Sequence, residues 1–343
     1  MVQETPKSLP RRNVRSLLFS STVGPFLGLI LVFGLFAGAD LVKSRSGGRP
    51  PSFATKVTCQ KLARDTSLTA VAGLGMLLIV ISGGIDLSVG TGLALCATVT
   101  AFLFREEFGT VAAISAGIAA GCMIGLINGL LITLLRLVPF IVTLGMMTVL
   151  LGAGLVISED KRIDAAKLAP KWIYELQQMT PEPRWLLVST GVWVTLLLAA
   201  VVAALLKFSV FGRRIFAVGS NESTARLCGI SVGKTRVAIY TLAGFFTGVA
   251  GLFYFSMSGG DVNPNEGMGK ELGIIAAVVI GGGSLNGGRG SLLGMLAGAA
   301  IIETITHGCT TLDIGNKYRH ILVGLIIIGA VALDQIRQRR TTA

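Results

Sequence analysis

Charge is what this chain has least of. Only 14% of its 343 residues are Asp, Glu, Lys or Arg, where a soluble domain carries roughly a quarter. An ordinary soluble enzyme is excluded on that ground. Acids are the scarcer sign, 18 against 30 basic residues, for a net charge of +12. In a soluble protein that balance would point to nucleic acid. In so apolar a chain the basic residues anchor loops at membrane faces, and no nucleic-acid partner is expected. Histidine occurs twice, as His307 and His320. Five cysteines, Cys59, Cys96, Cys122, Cys228 and Cys309, show no C-x-x-C spacing. They frame neither a zinc site nor a disulfide scaffold, although an oxidising compartment would permit one pair, Cys59 with Cys309. No metal and no cofactor are implied.

Apolar residues make up 52% of the chain, with 45 glycines and a mean hydropathy of +0.73. Glycine at this level suits helices packed closely in lipid. The fold class is therefore all-α, a polytopic membrane protein with about ten transmembrane helices. The expected spans are 17–39, 67–82, 89–104, 111–135, 138–157, 185–206, 237–258, a short one at 272–280, 291–306 and 321–333. A polar tail, 1–16, precedes the transmembrane domain 17–334, and a basic tail, 335–343, follows it. The first run ends in Ala37-Gly38-Ala39, which mimics a cleavage site, but 23 residues exceed a signal core and suffice to span. Residues 40–66 read as a polar loop and 158–184 as the longest extramembrane stretch. Lysine and arginine divide evenly between the two faces, 15 and 15. The basic 207–236 loop and the Arg337, Arg339, Arg340 tail fall on one side, and this places both termini in the cytoplasm.

Two glycine-rich interruptions echo one another. Gly83 to Gly92 reads GGIDLSVGTG and Gly281 to Gly290 reads GGGSLNGGRG, with five of ten positions alike. Each follows one apolar run and precedes another, as in an internal pseudo-repeat. Glycine-broken hydrophobic segments in matching positions point to a transport pathway. Asp86 lies in the first, where Asp-Leu-Ser-Val suits a helix cap. It and Glu303 are the acids most exposed to membrane depth, where an ion-coupled secondary transporter would place its ion site.

The stretch least like its surroundings is FGRRIFAVGSNESTARLCGISVGKTR, Phe211 to Arg236. Inside it Asn221 is a good N-cap, Glu222 and Arg226 form an i,i+4 pair, and Gly229 stands where a left-handed C-cap is wanted. A helix of about seven residues is unstable alone in water and needs neighbours or a partner. Ala225 and Cys228 read as a small apolar strip for that partner. Cys228 to Thr235, CGISVGKT, is one residue short of a P-loop, with no strand before it. Gly229 to Gly233 matches a nucleophile elbow, but both histidines belong to the opposite membrane face. Neither match is kept.

Together GLGMLLIVISGGIDLSVG, VPFIVTLGMM, the 211–236 stretch and VVIGGGSLNGGRGS resemble the permease subunit of a bacterial ABC importer. The likeness is to the ribose-type, monosaccharide-importing branch and covers about residues 65–330. It implies a homodimeric or paired permease in the inner membrane, separate ABC ATPase subunits on the cytoplasmic face and a periplasmic sugar-binding protein. The chain itself would not be an enzyme. The resemblance also implies that residues 219–230 dock on the ATPase: Gly219, Asn221, Glu222, Ser223, Thr224, Ala225, Arg226, Leu227, Gly229 and Ile230. A neutral sugar needs hydroxyl, amide and aromatic partners, so Asp86, Asn128, Thr143, Phe245, Tyr254 and Asn286 are candidates for its path.

Overall fold

A computed structural model describes residues 23–181, 186–315, 317–319, 321–326, 328–329 and 332. Seven of its helices are long and apolar enough to cross a membrane. They are α1 (Val23–Gly47), α2 (Lys56–Ile81), α4 (Thr110–Leu134), α5 (Pro139–Ser158), α7 (Thr190–Phe208), α10 (Val232–Met257) and α12 (Leu292–Thr311). Two shorter apolar helices, α3 (Val89–Arg105) and α11 (Lys270–Ile280), fall where spans were also expected. The tenth expected span, 321–333, includes residues outside the described set, as do the 1–16 and 335–343 tails.

α2 is the axis of the bundle. Every residue from Ser67 to Ile81 is buried, as a helix apolar on all sides requires. α10, α11 and α12 pack around it. Gly75 brings it so close to α10 that a Cβ there would lie 2.9 Å from the Ala243 backbone. α4 lies still closer along α10: a Cβ on Gly121 or Gly125 would overlap the carbonyl of Gly244 or Tyr240. Such backbone approach is how helices associate in lipid, where burying apolar surface gains nothing.

Residues 40–66 are not the polar loop expected from the sequence. α1 runs on to Gly47 and α2 begins at Lys56. Three of the region's six basic residues pair with acids, Arg64 with the adjacent Asp65. Lys43 Nζ meets Asp313 at 2.7 Å, and Arg49 meets buried Asp40 at 3.2 Å. Asp40 also accepts from the Ser52 and Phe53 amides at 2.7 and 2.9 Å. The 158–184 stretch forms β1 (Ile163–Asp164) and α6 (Lys171–Glu175), and β1 pairs antiparallel with β2 (Asp261–Val262).

α3 and α11 do not span alone. At ~1.5 Å per residue they reach about 25 and 16 Å, short of the ~30 Å hydrocarbon core. Their first turns meet: a Cβ on Gly90 would lie 3.0 Å from the Glu271 amide nitrogen. Gly92 packs on Thr247, more than halfway along α10. α3 therefore starts at depth, and non-helical residues 82–88 carry the chain up to it from the end of α2. From sequence, 67–82 and 89–104 count as separate spans on either side of this interruption.

Candidate functional site

The basic loop between α7 and α10 holds two helices, not one. α8 (Val210–Ser220) follows Ser209, whose hydroxyl accepts from the Gly212 amide at 2.9 Å. It buries Gly212, Ile215 and Val218 at helical spacing and leaves Arg213 and Arg214 exposed. α9 (Glu222–Leu227) comes next, separated by Asn221 alone. The Asn221 side chain accepts from the Thr224 amide at 2.8 Å. At the other end Gly229 takes φ +77°, its amide donates to Arg226 and the Ile230 amide donates to Ala225, each at 3.0 Å. These are the two bonds of a Schellman cap.

Glu222 does more than pair with Arg226. Its second oxygen accepts from Arg236 of α10 at 2.8 Å, so it straps the short helix to a long one. Burial opposes its charge, but the bonds from Arg226 and Arg236 outweigh that and hold its pKa below the usual range. The apolar strip differs from expectation. Ala225 is buried against Val218 and Val232, because the strap rolls that face inward. Cys228 does remain exposed, and Leu227 is the apolar side chain offered outward, 88% exposed. Ser223, Thr224, Arg226 and Gly229 share the solvent side.

Three of the six pathway candidates meet at the 82–88 break. Asp86 accepts from the Ser88 amide at 2.8 Å and the Ser88 hydroxyl at 2.6 Å, a turn just ahead of α3. Ser88 is the N-cap residue and α3 has no side-chain cap bond, so Asp86 orders the break and does not cap the helix itself. Asn128 of α4 donates to the Ser88 hydroxyl at 3.0 Å, while its own carbonyl oxygen is buried without a partner among the described residues. Thr143 of α5 donates to the Ile85 carbonyl at 3.4 Å, as does Tyr240 of α10. Sequence reasoning missed Ser88 and Tyr240. Ser88 sits two residues after Asp86 and was legible; nothing local marks Tyr240.

The other three lie apart. Phe245 borders an apolar groove of about 860 Å³ between α4 and α10. Tyr254 donates to Glu266 at 2.7 Å, and Glu266 pairs with Arg162. Asn286 is exposed on the 281–290 loop. Glu303 accepts from Thr69 at 2.6 Å, one turn from a His307–Asp65 pair at 2.7 Å. His307 is thus engaged with α2, not with Ser231. Cys59 and Cys309 are free thiols, the first exposed and the second buried.

The glycine echo has a structural counterpart shifted by one residue. Gly83 and Gly282, at φ +82° and +87°, end α2 and α11 with the same pair of bonds. Gly83 and Gly84 donate to Val80 and Ile79; Gly282 and Gly283 donate to Val279 and Val278. The sequence match had aligned Gly83 with Gly281.

Glycine-broken apolar helices around a polar cluster are a feature of multi-pass transport proteins. The chain belongs to the family described as branched-chain amino acid transport system / permease component, whose model matches residues 59–331. It is a transport subunit and not itself an enzyme. It is 36% identical to the ribose import permease protein of Bacillus subtilis over 91% of this chain and 92% of that one. It is 33% identical to the fructose import permease protein of Rhizobium meliloti, covering 90% and 84%. The L-arabinose ABC transporter permease protein of Azospirillum brasilense is 32% identical, covering 92% and 89%. No solved structure matches significantly.

Proposed function

We propose that the chain is the membrane subunit through which a bacterial ABC importer carries a simple, ribose-like sugar across the inner membrane. A periplasmic binding protein delivers the sugar, and ATP hydrolysis in separate ATPase subunits drives the step. A second copy of the permease completes the pathway, and both termini lie in the cytoplasm. The observation that carries this reading is α9. A six-residue helix is too short to persist unaided, yet this one is capped at both ends, strapped by Glu222 and topped by exposed Leu227. A short helix held rigid between two spans is a handle through which a partner can move them. The sugar class rests on relatives named for ribose, fructose and arabinose.

Within this reading residues 221–230 bear on the ATPase, while Gly219, grouped with them by the resemblance, packs inward against the Ile81 carbonyl and the Gly288 amide. The Asp86, Ser88, Asn128 and Thr143 cluster holds the break beside the sugar's path, and the two glycine breaks are halves of a pseudo-repeat. The test is uptake in proteoliposomes containing the permease, its ATPase and its binding protein, with proton and sodium gradients collapsed. Labelled ribose should still enter while ATP is present. Uptake that stops on collapse of the gradients would favour ion coupling through Asp86 or Glu303 and overturn the proposal.

A further inference from the structure

Four glycines gather where the surface loop meets the two helix breaks. At the end of α8, a Cβ on Gly219 would overlap the Ile81 carbonyl oxygen and lie 2.7 Å from the Gly288 amide nitrogen. That carbonyl belongs to the last residue of α2 and needs a donor from outside the helix. Gly288 supplies it at 2.8 Å. A Cβ on Gly287 would lie 2.6 Å from the Gly219 oxygen and 3.0 Å from the Gly83 backbone. Ser220 backs onto Gly288 in the same way. Three segments thus meet backbone to backbone: the end of α8, the end of α2 and the loop after α11.

Side chains between these segments would yield by changing rotamer. Directly abutting backbones do not, and close-packed protein transmits displacement instead of absorbing it. α9 begins two residues beyond Ser220, and its other strap, Glu222 to Arg236, reaches only α10. The glycine contact is its backbone connection to the end of α2 and the loop after α11, beside the side-chain route through α10, whose Tyr240 donates to the Ile85 carbonyl. We propose that Gly219 is a positioning residue for transport. It seats α8 rigidly on the α2 terminus and the Gly287–Gly288 turn, so that a push on α9 moves both breaks as one body. This rests on the coupling role of α9 proposed above.

The test uses the full complex of permease, ATPase and binding protein in lipid. In Gly219→Ala the ATPase should stay bound and hydrolyse ATP, while uptake falls about tenfold or more, the span of ordinary coupling energies. Gly145→Ala, a helical glycine with no neighbour within 4 Å of the added carbon, should change neither. A purely structural defect would lower both activities together. Uptake in Gly219→Ala close to wild type overturns the proposal.

Should Gly219→Ala fail to insert, spin labels at Arg214→Cys and Arg289→Cys read the joint in otherwise native packing, with exposed Cys59 and Cys228 changed to serine. Their separation should stay the same in nucleotide-free and ATP-trapped complexes. A separation that changes between the two states shows a hinge instead of a rigid seat and overturns it. Failure of the α9 reading is distinguishable, since Leu227→Asp would then leave ATPase binding intact whatever the labels report.

Discussion

Gly229 and Gly287 have nearly the same backbone twist, φ +77° and +83°, in opposite surroundings. A Cβ on Gly229 would find nothing within 4 Å, whereas one on Gly287 would press on Gly219 and Gly83. Gly229 ends α9, whereas Gly287 turns the loop seven residues past the end of α11. At the surface the requirement is conformational only: an L side chain dislikes the left-handed region. In the joint the same requirement is joined by a steric one. Where a glycine stands among other backbones decides whether it shapes a turn or also closes a contact.

Gly287→Ala should therefore be the most damaging change. Left-handed strain of about 1–2 kcal/mol adds to about 1–3 kcal/mol of overpacking. Thermal unfolding in nanodiscs measures it; a loss no greater than that of Gly229→Ala would break the contrast. Leu227→Asp should next cut uptake about tenfold or more, as loss of a docking hot spot does, while leaving the melting temperature alone. A shift in melting without loss of uptake would mean that Leu227 supports the fold and not a partner.

Gly229→Ala should cost only about 1 kcal/mol, and Gly229→Asn less, because asparagine tolerates the left-handed region. Asp86→Asn should keep most transport, since an amide oxygen still accepts from the Ser88 amide and hydroxyl. Normal insertion with no transport would instead make Asp86 an ion or proton site.

The smallest effect concerns pH. Because Glu222 titrates below its unfolded value, the stability it contributes is fully present above the ordinary carboxylate range. It is lost as pH falls through the lowered value. Exposure limits its size. Glu222→Gln should flatten that acid limb, seen by melting curves between neutral and acid pH; identical limbs would mean that the strap contributes nothing.

Most spans were legible because hydropathy is a local property. So were the caps of α9, since Asn221 and Gly229 act on residues three or four away. α8 was not, because Arg213 and Arg214 interrupt an apolar stripe carried by Gly212, Ile215 and Val218. The helical 40–66 region was missed because its partners are remote; Lys43 is neutralised by Asp313, 270 positions away. Asp86, Asn128 and Thr143 could be picked out as polar residues within apolar runs. That they share one place depends on α4 and α5 packing beside the break, which no spacing along the chain encodes. The depth at which α3 begins was hidden for the same reason.

The burial of α2 also has a consequence for how the protein is made. One of its flanks is covered by α10, whose last residue, Met257, lies 176 positions after Ile81 (257 − 81). At ~5–20 residues per second of synthesis, α2 waits about ten to thirty seconds in the bilayer before that neighbour exists. During the wait its close-packing glycines and buried hydroxyls face lipid. Membrane quality-control proteases have their opening then, and a pulse-chase should show nascent chains cut near α2 until α10 has entered.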